Sequence, residues 1–232
     1  MKANKLTFLS SLALIFLMGL LNQSCNSTKG LSNAVVTKVA TADEVNALYQ
    51  SIRTSNNVQL PPRIYNLDTP IMISGKSDFT LDGNGSTFIM ERKSEDVLIV
   101  ENCTNITLKN FKATHVEPDG PIGCTGSVVQ VRYNDGVTVQ GCQLNGSGII
   151  GIVSYTTKNL KVINNYIYNN SEYGVLYSTD STLELNGNTF EDNGDDGNAH
   201  VGMALNDYLS EIERIAKGTN RGELKMSGNI YK

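Results

Sequence analysis

Apolar and polar residues alternate through most of the chain in a phrase that recurs. Asn159-Leu160-Lys161-Val162-Ile163-Asn164-Asn165-Tyr166-Ile167 aligns with Thr182-Leu183-Glu184-Leu185-Asn186-Gly187-Asn188-Thr189-Phe190. Both align with Glu223-Leu224-Lys225-Met226-Ser227-Gly228-Asn229-Ile230-Tyr231. Shorter copies are Asp78-Phe79-Thr80-Leu81-Asp82-Gly83-Asn84, Asn105-Ile106-Thr107-Leu108-Lys109-Asn110-Phe111 and Gly136-Val137-Thr138-Val139-Gln140-Gly141-Cys142. The leading apolar residues fall at 79, 106, 137, 160, 183 and 224, in steps of 27, 31, 23, 23 and 41. A basic period of about 23 residues with loops inserted accounts for these steps.

Alternation with period two is the mark of a strand with one buried face. The Asn or Gly that follows marks a bend, because these residues tolerate positive φ best. Between the copies lie second short strands: Val97-Leu98-Ile99-Val100, Val128-Val129-Gln130-Val131, Ile149-Ile150-Gly151-Ile152-Val153 and Gly174-Val175-Leu176-Tyr177. A unit of two or three short strands cannot bury its own apolar face and must stack on the next. Stacking sets like over like, so Asn165, Asn188 and Asn229 are expected to hydrogen-bond along the axis.

This pattern resembles the right-handed parallel β-helix, the pectate-lyase-like fold, over roughly residues 40–232. The resemblance implies an all-β solenoid of about six coils, roughly 30 Å long at about 4.8 Å per coil. Thr41-Ala42-Asp43-Glu44 opens as a capping box, and Val45, Leu48, Tyr49 and Ile52 form an apolar stripe. This is similar to the amphipathic helix that closes the N-terminal end of the family's barrels, here placed at about 41–54. Val58 to Leu67 is similar to the family's first coil. An inserted helix at about 206–217, with Leu205, Leu209, Ile212 and Ala216 on one side and Gly218 as its stop, accounts for the longest step. No separate cap follows the last copy, which leaves a coil open to self-association.

The N-terminal segment reads as an address. Lys2 and Lys5 precede an apolar stretch from Leu6 to Leu21, too short in its dense part to span a bilayer comfortably. Leu21-Asn22-Gln23-Ser24-Cys25 resembles the lipobox of bacterial lipoproteins, with Asn22 where Leu is usual. The resemblance implies residues 1–24 as signal peptide, lipidation of Cys25 and a polar tether over 25–40. Ordinary secretion and a retained anchor are the alternatives. Export permits disulfides, and one pair with one buried thiol is expected among Cys103, Cys124 and Cys142.

Composition narrows the function classes. The 21 Gly and 26 Asn fit many tight bends, and 40% apolar residues suffice for a core. A net charge of −4, with charges dispersed, excludes a general nucleic-acid binder.

Three groups of residues carry candidate chemistry. The first is Glu191-Asp192-Asn193-Gly194-Asp195-Asp196-Gly197-Asn198-Ala199-His200. Asp192, Asp195 and Asp196 there would supply oxygen ligands for calcium, although the spacing is not that of an EF-hand. Asp195 and Asp196, with His200, are also similar to the paired acids of β-helix glycosidases, without their Gly-His-Gly and Arg-x-Lys motifs. The second is His115, in the loop that lengthens one step to 31; counting places it in one column with Gly146, Asn169 and Asp192. The third is Arg132, beside Tyr133, as the base of an eliminating lyase, with Arg63, Lys158 and Lys161 as weaker candidates. Tyr133, Tyr155 and Tyr177, with Tyr166, Tyr168 and Tyr173, are candidates for stacking on sugar rings. A solvated acidic turn and ordinary strand tyrosines are the plain alternatives.

Together these point to an exported, lipid-anchored β-helix protein of the bacterial outer membrane or cell surface that engages polysaccharide. The alternatives are a small polysaccharide lyase or glycoside hydrolase, and a non-catalytic adhesion protein assembling through its C-terminal coil.

Overall fold

A computed structural model describes residues 38–116, 125–145, 149–194, 196–204 and 223–232. The signal peptide, Cys25, most of the tether, Cys124, Asp195 and the inserted helix lie outside the described residues. The described chain is a parallel β-helix with three faces, and among the described residues every strand pairing is parallel. The first face is a six-stranded sheet: Ile71–Ser74, Leu98–Glu101, Val129–Arg132, Ile150–Tyr155, Tyr173–Ser178 and Val201–Ala204. The second and third faces form a continuous twelve-stranded sheet, because Ser77–Met90 and Thr104–His115 each run through the bend between them.

The sequence repeat is the structural register. Phe79, Ile106, Val137, Leu160, Leu183 and Leu224 are successive partners on the second face. Two residues on, Leu81, Leu108, Val139, Val162 and Leu185 are fully buried. Each such apolar side chain withdrawn from water contributes roughly 1.5–3 kcal/mol.

The bends use left-handed backbone. Asn110, Gly141, Asn164, Gly187 and Gly228 have φ between 53° and 65° at the second-to-third corner. Just beyond, Asn165 Nδ2 donates to Asn188 Oδ1 at 3.0 Å, and Asn188 Nδ2 to Asn229 Oδ1 at 3.0 Å. Each amide also donates inward to a strand carbonyl, as Asn188 does to Val162 at 2.7 Å. The expected ladder is present, and its polar groups are satisfied although Asn165 and Asn188 are buried.

Cys142 occupies the ladder position of an earlier coil, its backbone N–H donating to Asn165 Oδ1 at 2.9 Å. Cys103 stands likewise against Asn134 Oδ1 at 2.9 Å. Both are free and buried, so the expectation of one disulfide is corrected: each thiol turns to a nearby carbonyl instead. Burial pushes the Cys142 thiol up to about 12.

The helix Ala42–Thr54 closes one end. Thr41 Oγ1 accepts from Glu44 N at 3.2 Å while Glu44 accepts from Thr41 N at 2.9 Å, and Leu48 and Ile52 are buried. Ahead of it, Ala40 N donates to Ile64 O and Ile64 N to Lys38 O, so 38–40 pair with the first coil. At the other end, core columns surface: Met226 follows Leu185, Tyr231 follows Phe190 and Met203 follows Tyr177, and all three are exposed.

Candidate carbohydrate-binding face

The first face supplies the site. On its strands the outward residues alternate with the core, and neighbouring coils set Ser74, Glu101, Arg132 and Tyr155 in one outward column. Beside it Gln130 stands between Ile99 and Val153, which are both buried. Arg132 Nε and Nη2 both reach Glu101 Oε2, at 2.8 and 2.7 Å, and Ser74 Oγ donates to Glu101 Oε1 at 3.2 Å.

A second carboxylate enters from the loop before the first face. Asp96 Oδ1 accepts from Ser127 N at 2.6 Å and Oδ2 from Gln130 Nε2 at 2.8 Å. Burial raises the Asp96 carboxyl above its ordinary value, against the pull of the Ser127 N–H, His115 and Arg132. The Asp96 charge in turn helps burial to raise the Tyr155 phenol. Asp96, Arg132 and Tyr155 therefore share one electrostatic neighbourhood. The loop is held tightly against the next coil: Thr125 N and Gly126 N both donate to Lys93 O, and a Cβ on Gly126 would collide with the Glu95 carbonyl.

Tyr133 follows Arg132 at the first-to-second corner, where Gly75, Asn102 and Thr156 occupy the same place in other coils. Its φ is +58° and its side chain is 61% exposed. Left-handed backbone at a bulky residue is uncommon and costs on the order of 1 kcal/mol or more. The corner thus sets one exposed aromatic next to another, since Tyr155 is 38% exposed and its carbonyl accepts from Tyr133 N.

Of the residues singled out in the sequence, the structure gathers Arg132, Tyr133 and Tyr155 and, among the described residues, separates the others. His115 is in register with Leu67 and Met90, points into the core and has no exposed surface, so it cannot touch a substrate. Its Nε2 lies 2.8 Å from Glu95 O, which anchors the Asp96 loop from behind. Of the column expected with it, Gly146 lies outside the described residues, and Asn169 and Asp192 occupy a left-handed bend while His115 is still strand. Tyr177 is corrected from sugar-stacking to core: it follows Ser154 in the inward column and is 6% exposed.

The acidic turn lies elsewhere. Asp192 and Asp196 are exposed, and Asp196 Oδ1 accepts from Asn198 N at 3.0 Å. His200 packs on Tyr231 and Phe190, its ring centroid 5.4 and 6.0 Å from theirs. Burial lowers its pKa, opposed by Asp192 and Asp196. Among the described residues no three His, Cys, Asp or Glu side chains gather as a metal-ligand set. Tyr166 donates to Glu191 at 3.0 Å and stacks on Tyr168, so this aromatic pair is occupied internally.

Reading side-chain type alone missed Glu101, Gln130 and Asp96. Glu101, Arg132 and Tyr155 are spaced by the same 31 and 23 residues as the leading apolar positions, a signal that would have revealed the column. Asp96 sits in a loop and has no such signature.

The sequence profile of the right-handed beta helix region matches residues 62–209, more than half of the chain. The chain belongs to the right-handed β-helix family. A relative is alpha-1,3-galactosidase B of Bacteroides thetaiotaomicron, 32% identical over 84 residues. That stretch covers 36% of this chain and 12% of the galactosidase. No solved structure matches the chain.

Proposed function

We propose that this β-helix protein is exported, lipid-anchored through Cys25 at the outer membrane or cell surface, and binds polysaccharide on its first face. The observation that carries the reading is the outward cluster of Arg132, Gln130 and Tyr155, buttressed by Glu101 and Asp96, with Tyr133 exposed at the corner. Sugars are held by planar hydrogen-bonding groups beside aromatic rings, and this face has both. The likeness to a galactosidase supports a glycan as ligand. The apolar leader ending at Cys25 supports the anchor.

A hydrolytic version of the same site has one observation in its favour: Asp96 is a carboxyl whose burial favours its protonated form. An eliminating lyase is disfavoured, because Arg132 is committed to Glu101 and would have to surrender a proton that this ion pair helps to hold. The adhesion reading rests on the surfaced core columns at Met203, Met226 and Tyr231.

Affinity electrophoresis in gels of galactan, mannan, glucan and polygalacturonate tests the binding. The parent should be retarded in at least one gel, and Arg132→Ala with Tyr155→Ala should lose that retardation while keeping its circular dichroism. An unretarded parent sinks the reading. Cys25→Ala should move the protein from the membrane to the soluble fraction; unchanged fractionation would remove the anchor.

A further inference from the structure

The charge on this face is already spent. Arg132 directs two of its nitrogens at one Glu101 oxygen, and Ser74 occupies the other. A uronate is best held by a free guanidinium fork, through two parallel charge-assisted hydrogen bonds. Here a uronate would have to displace Glu101, leaving that carboxylate, only 22% exposed, without its counter-charge. It would also approach Asp96, whose two oxygens are held by Ser127 and Gln130. Two carboxylates against one arginine make the face unfavourable to an incoming anion. What remains for a ligand carries no unpaired charge: the Gln130 amide oxygen, the guanidinium N–H groups not directed at Glu101, and the rings and hydroxyls of Tyr133 and Tyr155. Gln130 and Arg132 lie two residues apart on one strand, about 7 Å along it, so they meet successive hydroxyls rather than one carboxylate.

We infer that this face selects neutral, hydroxyl-bearing sugar units and rejects uronates, with the Arg132–Glu101 ion pair as the specificity determinant. The inference rests on the glycan-binding reading above and adds the chemical class of the ligand. Glu101→Gln keeps the shape and the Ser74 contact but releases the guanidinium charge.

The same four gels decide the matter. The parent should be retarded by a neutral polysaccharide and run freely in polygalacturonate. Glu101→Gln should gain retardation in polygalacturonate by about tenfold, equivalent to about 1.4 kcal/mol. That gain should fade as salt is added. A parent held by polygalacturonate as strongly as by any neutral gel overturns the inference. So does a folded Glu101→Gln that gains nothing; in either case binding itself still stands. A parent held by no gel removes the binding reading and this inference together. Should Glu101→Gln not fold, competition on the parent decides: an oligosaccharide of the retaining neutral polymer must displace it where oligogalacturonate of equal length does not, and equal displacement overturns the inference.

Discussion

Asp96 illustrates how one side chain ties stability to recognition. Its carboxyl is partly buried, and burial lifts its pKa above the ordinary 3.8. Between 3.8 and the raised value the folded chain holds a proton that the unfolded chain has released. Stability contributed by this group is therefore full below 3.8 and is lost as pH rises through the folded value, so at neutral pH the buried charge is a burden. Asp96→Asn should raise the melting temperature at pH 7 on the order of 2 °C, with the difference vanishing at pH below about 3.8. The same substitution should weaken retention by the neutral gel, because the amide no longer orients Gln130 as an anion does. A variant that is less stable at neutral pH would show that the Ser127 and Gln130 hydrogen bonds outweigh desolvation. His115 belongs to this account as a positioning residue, since its ring holds the Glu95 carbonyl one residue away.

Elements repeat this logic with period rather than with single residues. Asn188, which has no exposed surface, accepts from Asn165 N at 2.9 Å, donates to Val162 O and joins Asn229. Asn188→Ala strands several buried partners at once, each costing about 1–3 kcal/mol. Urea unfolding should show a midpoint lower than the parent's, with a loss of about 3 kcal/mol; an unchanged midpoint would mean that water replaces the amide. This ladder, the leading column from Phe79 to Leu224 and the capping box at Thr41 were all readable, because each is a local pattern repeated at a fixed step. Parity is equally legible, and it decides two positions that residue type does not. Phe111, Ala113 and His115 are two apart and therefore share the core side, as Val175 and Tyr177 do. His115 and Tyr177 are surface residues by side-chain type, but strand phase puts them inside. Asp96 was not readable, since the loop that delivers it has no period and its partners, Ser127 and Gln130, are more than thirty residues away.

At the scale of the whole molecule, a solenoid lends each coil the stability of its neighbours, so the ends are where opening begins. The two described ends differ. One is closed by the helix Ala42–Thr54, which buries Leu48 and Ile52 at 2% exposure and pairs 38–40 with Ile64. The other presents Met226 and Tyr231, 55% and 47% exposed in columns whose earlier members Leu185 and Phe190 are fully buried. Apolar burial thus falls off toward Leu224–Ser227 and Ile230–Tyr231, and among the described residues these strands pair on one side alone, with the coil before. Hydrogen exchange read by mass spectrometry should therefore rank the amides of Leu224–Ser227 fastest among the strands. Leu183–Asn186 should come next, and Asp135–Gln140 and Lys158–Ile163 slowest, with Ile64–Leu67 protected nearly as well as the middle. Opening that starts instead at Ile64–Leu67 would mean that the helix is not a stabilising cap. Addition of a neutral polysaccharide carries the argument back to the first face. It should slow exchange in Val129–Arg132 and Ile150–Tyr155 and leave the order of the ends unchanged, because binding there stabilises coils that open last.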